Sequence, residues 1–216
     1  MRTVVFDLDG TLADTSADLL AAANACFPRP VLGPKDALTA FHGGRAMLRL
    51  GFQRLGMDWS EADVDAGYPV LLEAYRSGIA VQTRLYPGAM AAVEALKGAG
   101  FRVAVCTNKP EGLAELLLRE LGVREAFGTL VGADTFPVRK PDPVPYRAAV
   151  ERAGGLVARS MLVGDTETDA KTGVAAGVPV ALVTFGPEGA GVSRFAPAAL
   201  LDRFEDLPGL AERLLA

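Results

Sequence analysis

Val4-Val5-Phe6-Asp7-Leu8-Asp9-Gly10-Thr11 decides how this chain is read: an apolar, β-branched run delivers two carboxylates and a glycine turn at one edge. In an extended strand residues two apart point the same way, so Asp7 and Asp9 share a face at the strand's exit. Two like charges there repel unless a divalent cation sits between them or the surroundings keep one protonated. Taken alone, the match is explained equally by an ordinary Asp-Gly turn. A helix-loop-helix calcium loop fits poorly, because the glycine comes too early and Asp18 stands where such a loop ends in glutamate.

Similar runs recur downstream. The first spans Thr3 to Asp9, and the others Arg102 to Thr107, Thr129 to Ala133, Met161 to Asp165 and Val180 to Thr184. Between them, Ala89 to Ala99, Glu111 to Leu121, Val144 to Ala153 and Thr168 to Ala176 have the spacing and Ala/Leu/Glu content of helices. Alternating strand and helix predicts an α/β fold, a Rossmann-like parallel sheet with helices on both faces. Residues 14–84 break the pattern: amphipathic helices are expected near Ala17 to Cys26, Gly44 to Leu55 and Glu61 to Ser77, with no strand. The expectation is an inserted all-helical subdomain at 14–84 in a core made of 1–13 and 85–216. Tyr86-Pro87-Gly88 marks the return. The Gly/Pro-rich piece from Gly186 to Pro197 reads as a surface loop before a final short helix.

Composition narrows the function classes. A chain of 216 residues, 50% hydrophobic, can bury one substantial core or a core plus a smaller insertion. A net charge of −4, with arginines scattered among acids and no basic face, argues against nucleic acid as the principal ligand. Cys26 and Cys106, the only cysteines, lie in apolar contexts and read as buried thiols in a reducing compartment. No signal-type segment opens the chain and no apolar run approaches the ~20 residues of a membrane span, so a cytoplasmic protein without membrane contact is expected, as monomer or homodimer.

Three further strand exits carry polar groups. Cys106-Thr107-Asn108-Lys109 places a hydroxyl and an amide where a parallel strand meets its loop, the end at which open α/β sheets bind ligands; helix capping ahead of Pro110 is the plainer explanation. Arg139-Lys140-Pro141-Asp142-Pro143 sets a lysine in a proline-stiffened loop. Val163-Gly164-Asp165-Thr166-Glu167-Thr168-Asp169 ends a strand in one acid and puts another at i+4, where it also suits a helix dipole.

An Asp pair, Thr-Asn, Lys and a second Asp pair, in that order, resemble the four motifs of the haloacid dehalogenase superfamily of aspartate-dependent phosphohydrolases. The likeness spans essentially the whole chain. The segment through Asp169, Ala170, Ala175, Ala176 and Gly177 is similar to the phosphoglycolate phosphatase-like branch, whose helical cap the insertion resembles. Within it, Phe41-His42-Gly43-Gly44-Arg45 looks like that branch's substrate-specificity loop.

The resemblance implies a sheet of strand order 5-4-1-2-3 and a Mg²⁺-dependent phosphatase acting on a small phosphorylated metabolite, 2-phosphoglycolate foremost. It makes Asp7 the nucleophile that forms an aspartyl-phosphate, and Asp9 the acid that protonates the leaving alcohol and then the base for water. It gives Mg²⁺ to Asp7, Asp165 and the Asp9 carbonyl, with Asp169 orienting metal-bound water or Lys140. Thr107, Asn108 and Lys140 then bind the phosphoryl group, and His42, Gly43 and Arg45 of the cap contact the rest of the substrate. A β-phosphoglucomutase-like phosphomutase is the alternative enzyme. A phospho-accepting signalling domain or a non-catalytic ligand-binding protein is the alternative of another class, against which Asp9 and the cap both speak.

Overall fold

Thr3 to Phe6 are all buried and form β1 (Thr3–Phe6), as expected of a strand covered on both faces. The computed structural model describes residues 1–56 and 58–216. It divides into two units, Met1–Ala13 with Leu85–Ala216, and Asp14–Arg84. From β1 the chain runs through β2 (Ala13–Asp14) into α1 (Ser16–Asn24), α2 (Ala37–Phe41), α3 (Gly44–Leu55) and α4 (Glu61–Ser77), and returns through β3 (Arg84–Leu85). Then come α5 (Ala89–Gly98), β4 (Arg102–Cys106), α6 (Glu111–Glu120), β5 (Thr129–Val131), α7 (Pro143–Arg152) and β6 (Ser160–Gly164). The chain closes with α8 (Glu167–Ala176), β7 (Val180–Val183), β8 (Ala199–Leu201) and α9 (Leu207–Leu214).

The main sheet is parallel throughout, in the order β5-β4-β1-β6-β7-β8. The expected order 5-4-1-2-3 is contained in it as β7-β6-β1-β4-β5. The correction is a sixth strand, β8, beyond β7. Alternation along the strands sends Val5, Ala104, Cys106, Leu162 and Leu182 to one face, where they pack with Tyr146, Ala149 and Val150 of α7 and Ala170 of α8. Val4, Phe6, Val103, Val105, Met161 and Val163 are buried as well and, by the two-residue period, point to the opposite side, where α5 packs on β4 and α9 on α5. Burial on this scale makes truncation costly: Leu162→Ala removes about 2–5 kcal/mol of stability.

The piece from Gly186 to Pro197 is not simply a surface loop. It holds a 3₁₀ turn, Gly189–Phe195, whose Val192 is buried in the α7/α8 core, because one β-branched side chain suffices to anchor a glycine-rich segment. Cys106 is buried as expected, whereas Cys26 is only half-buried.

The helical unit has its own core of Leu20, Met47, Leu48, Val64, Leu71 and Tyr75. Gly51 lets α3 approach Phe27, since a Cβ there would lie 2.1 Å from the ring. Buried Asp18 accepts the backbone N–H groups of Gln82 and Thr83 and the Thr83 hydroxyl, which ties the returning segment to α1.

Candidate active site

Three strands of the core end in the polar residues singled out above. Asp7 follows β1 directly, and its N–H still donates to the Val163 carbonyl at 2.9 Å. Phe6 is level with Val105 on one side and Val163 on the other, so Thr107 and Asp165 emerge at the same edge. Chain direction alone dictates this: in a parallel sheet every carboxyl end points the same way.

Lys140 reaches that edge from the loop after β5. It is 2% exposed, and its Nζ lies 2.7 Å from Asp169 Oδ1 and 3.1 Å from Asp7 Oδ2. Burial disfavours its charge, but Asp169 and Asp7 outweigh that and hold its pKa above the ordinary lysine range. The loop behind it is braced by Asn108, whose Nδ2 donates to the Lys140 carbonyl at 2.9 Å, and by Asp142, which caps α7 through the Val144 N–H. The Lys140-Pro141 peptide is cis.

Asp169 is fully buried and fully engaged. One oxygen meets Lys140, and the other accepts from the Thr166 hydroxyl at 2.8 Å and from the N–H groups of Thr166 and Asp165. It therefore caps α8 and fixes the lysine at once. Gly164 makes room for it, because a Cβ at that position would fall 2.3 Å from Asp169 Cγ.

Asp165 Oδ1 takes the Thr11 hydroxyl at 2.8 Å. Its Oδ2 is buried and has no hydrogen-bond partner among the described residues. Oxygens of Asp7, Asp165 and Asp169 lie within 4.8 Å of one another. Three carboxylates thus crowd around a single ammonium that pairs with two of them, Asp7 and Asp169, and the buried Oδ2 of the third, Asp165, is orphaned among the described residues. Burial, helped by the charges of Asp169 and Asp9, raises the pKa of Asp7 to about 6 against the lowering pull of Lys140. Burial and the charges of Asp169 and Asp7 push Asp165 well above the carboxylate range. An all-oxygen, negatively charged set of this kind fits a hard divalent cation, which would balance the excess charge and occupy the unpartnered oxygen.

Asp9 is the exception in this cluster, since its carboxylate is held by Lys109 at 2.8 Å. Lys109 and Thr11 were not assigned roles from the sequence. Thr11 could have been found from its place beside the Asp-x-Asp-Gly turn, whereas nothing about Lys109 distinguished it from a solvated loop lysine. Beneath the site, burial raises the Cys106 thiol to about 12, so it stays protonated and inert.

In the helical unit, Arg45 is ion-paired with Asp65 and lies over the Tyr68 ring, 4.6 Å from its centroid. His42 is exposed, and Gly43 has φ +95°, a conformation suited to glycine, just before α3.

A family model of haloacid dehalogenase-like hydrolases matches residues 1–177. The chain belongs to the haloacid dehalogenase-like hydrolases. Among relatives within the family, a phosphoglycolate phosphatase of Mesorhizobium japonicum is 38% identical over 98% of this chain and 96% of its own. One from Agrobacterium fabrum is 39% identical over 98% and 93%. In fold the chain is similar to a "predicted phosphoglycolate phosphatase" from Haemophilus somnus 129pt (TM-score 0.83, 23% identity, 97% of both chains). It is also similar to a hydrolase from Pseudomonas syringae (TM-score 0.78, 20% identity, all of both chains). Family and relatives agree with the expectation of a phosphoric monoester hydrolase. No helix among the described residues is long and apolar enough to cross a membrane.

Proposed function

We propose that this hydrolase is a Mg²⁺-dependent phosphomonoesterase that works through an aspartyl-phosphate on Asp7 and prefers 2-phosphoglycolate. The observation that carries the reading is the buried Lys140 bridge between Asp7 and Asp169 beside the unpartnered Asp165 oxygen. A structural ion pair needs neither a third carboxylate nor an orphaned oxygen. The names and high coverage of the relatives support the substrate.

Asp7 Oδ attacks phosphorus, the bond from phosphorus to the ester oxygen breaks, and Asp9 gives that oxygen a proton. Water then attacks the phosphorus of the acyl phosphate while Asp9 takes its proton. Inorganic phosphate leaves and Asp7 is restored. Asp7, Asp165 and the Asp9 carbonyl would hold the Mg²⁺, and its positive charge would offset repulsion between carboxylate and phosphate. Lys140 keeps Asp7 ionised and aimed, and Asp169 keeps Lys140 in place. The Thr107 hydroxyl and Asn108 bind phosphoryl oxygens. The helical unit acts as the cap, with Arg45, His42 and Gly43 reading the organic part of the substrate. A small metabolite in the cytoplasm suits a chain with two free cysteines and a net charge of −4.

The test is a panel of phosphorylated metabolites assayed with Mg²⁺, phosphate release being followed alongside sugar-phosphate isomers. Free phosphate, with 2-phosphoglycolate turned over fastest, supports the reading. Transfer to a second sugar hydroxyl identifies a phosphomutase instead.

A further inference from the structure

We propose that Lys109 is a positioning residue for Asp9, so that the two acidic side chains of the Asp7-Leu8-Asp9 segment are each held by a lysine of their own. Lys109 is 7% exposed, and its Nζ lies 2.8 Å from Asp9 Oδ1. A loop lysine ordinarily keeps its ammonium in water, and withdrawing one costs free energy that a surface role would not require.

Both ends of this residue are fixed. Its N–H donates to Thr107 Oγ1 at 3.1 Å, and its carbonyl accepts the Ala133 N–H at 2.9 Å. Next to it Gly132 comes so close to Glu111 that a Cβ would sit 2.4 Å from the Glu111 backbone. The loops after β4 and β5 therefore form a rigid base for the lysine. Facing it, Asp9 opens a turn in which Gly10 has φ +81° and donates its N–H to Ala13 at 2.9 Å. That backbone is braced too, and the Asp9 carboxylate is met by Lys109.

Lys140 pairs with Asp7 and Asp169, while Lys109 pairs with Asp9. One carboxylate is thereby reserved for attack, and the other presents an oxygen at a constant place for both proton transfers. The inference rests on the reading of Asp9 as acid and base given above.

Lys109→Met and Lys109→Arg are assayed on 2-phosphoglycolate and on p-nitrophenyl phosphate, with melting curves recorded for each. Lys109→Ala is read in the same way should the methionine variant not fold. An alkoxide must receive a proton to leave, whereas nitrophenolate leaves without one. On the alkyl ester we expect kcat to fall about 10²-fold with the methionine variant, KM to stay within about twofold, and arginine to restore much of the loss. On the aryl ester a burst of nitrophenolate should precede a slow steady state, because only the activation of water is impaired. Equal losses on both esters without a burst, a loss expressed in KM, or unchanged kinetics would overturn the assignment. A wild-type protein that cleaves neither ester would refute the phosphatase reading itself, and the role of Lys109 with it.

Discussion

Asp165 Oδ2 is a carboxylate oxygen buried without a donor among the described residues, a state that costs about 1–3 kcal/mol or more when left uncompensated. A divalent cation bound there would relieve it, so Mg²⁺ should raise the melting temperature of the wild type. Asp165→Asn should abolish most of that rise while leaving the metal-free protein folded, as differential scanning fluorimetry with and without Mg²⁺ would show. The sign of the pH dependence follows from Asp7, whose pKa stands at about 6 against 3.8 for the ordinary group. Between those values the native protein holds a proton that the unfolded chain has lost. Stability of the metal-free protein therefore falls as pH rises through that window. Metal must displace the same proton, so the Mg²⁺-induced rise should be larger at about pH 7 than at about pH 5. Asp7, Lys140 and Asp165 were legible because each directly follows an apolar run or sits in a stiffened loop, which is where a parallel sheet gathers its ligands. The pairing of Lys109 with Asp9 was not, because its two members are 100 positions apart in the chain and a single lysine in a loop carries no mark of burial.

Glycines in the elements separate close approach from mere absence of a side chain. Gly164, at the end of β6, has Asp169 Cγ 2.3 Å from where its Cβ would be. Gly164→Ala should cost roughly 1–3 kcal/mol through overpacking and loosen the lysine that Asp169 holds. Gly112 in α6 has nothing within 4 Å, and Gly112→Ala should be neutral to stabilising by up to about 1 kcal/mol. Urea titration of the two variants checks both signs. At this scale the sequence revealed the strands that lie inside the sheet, where both faces demand apolar residues. It did not reveal β8, since Ala199-Leu200-Leu201 is three residues long and the outermost strand of the sheet, or the 3₁₀ turn, whose glycines mask the single anchoring valine. Asp169 accepts from Thr166 at the start of α8 and pairs with Lys140; its i+4 place suggested the first and the family resemblance the second, so one carboxylate serves two purposes.

For the molecule as a whole, each of the two units buries a core of its own. If the helical unit selects the substrate and the α/β unit performs the chemistry, a chain in which residues 14–84 are replaced by a short linker should still bind Mg²⁺ with a rise in melting temperature. Its turnover of p-nitrophenyl phosphate should persist, and its preference for 2-phosphoglycolate over other alkyl phosphates should disappear. Retained preference would move specificity into the α/β unit. The division into units was visible in the switch from alternating strand and helix to helix alone. The pairing of Arg45 with Asp65 within its own unit was not, because a sequence does not show which charges are already paired. The whole reading turns on a covalent phosphoryl group at one side chain, and the most direct measurement is acid quenching during turnover of 2-phosphoglycolate with Mg²⁺, followed by peptide mass spectrometry. A phosphoryl group on Asp7, absent from Asp7→Asn along with turnover, is the expected result; full turnover by Asp7→Asn, or phosphorylation at another residue, would contradict it.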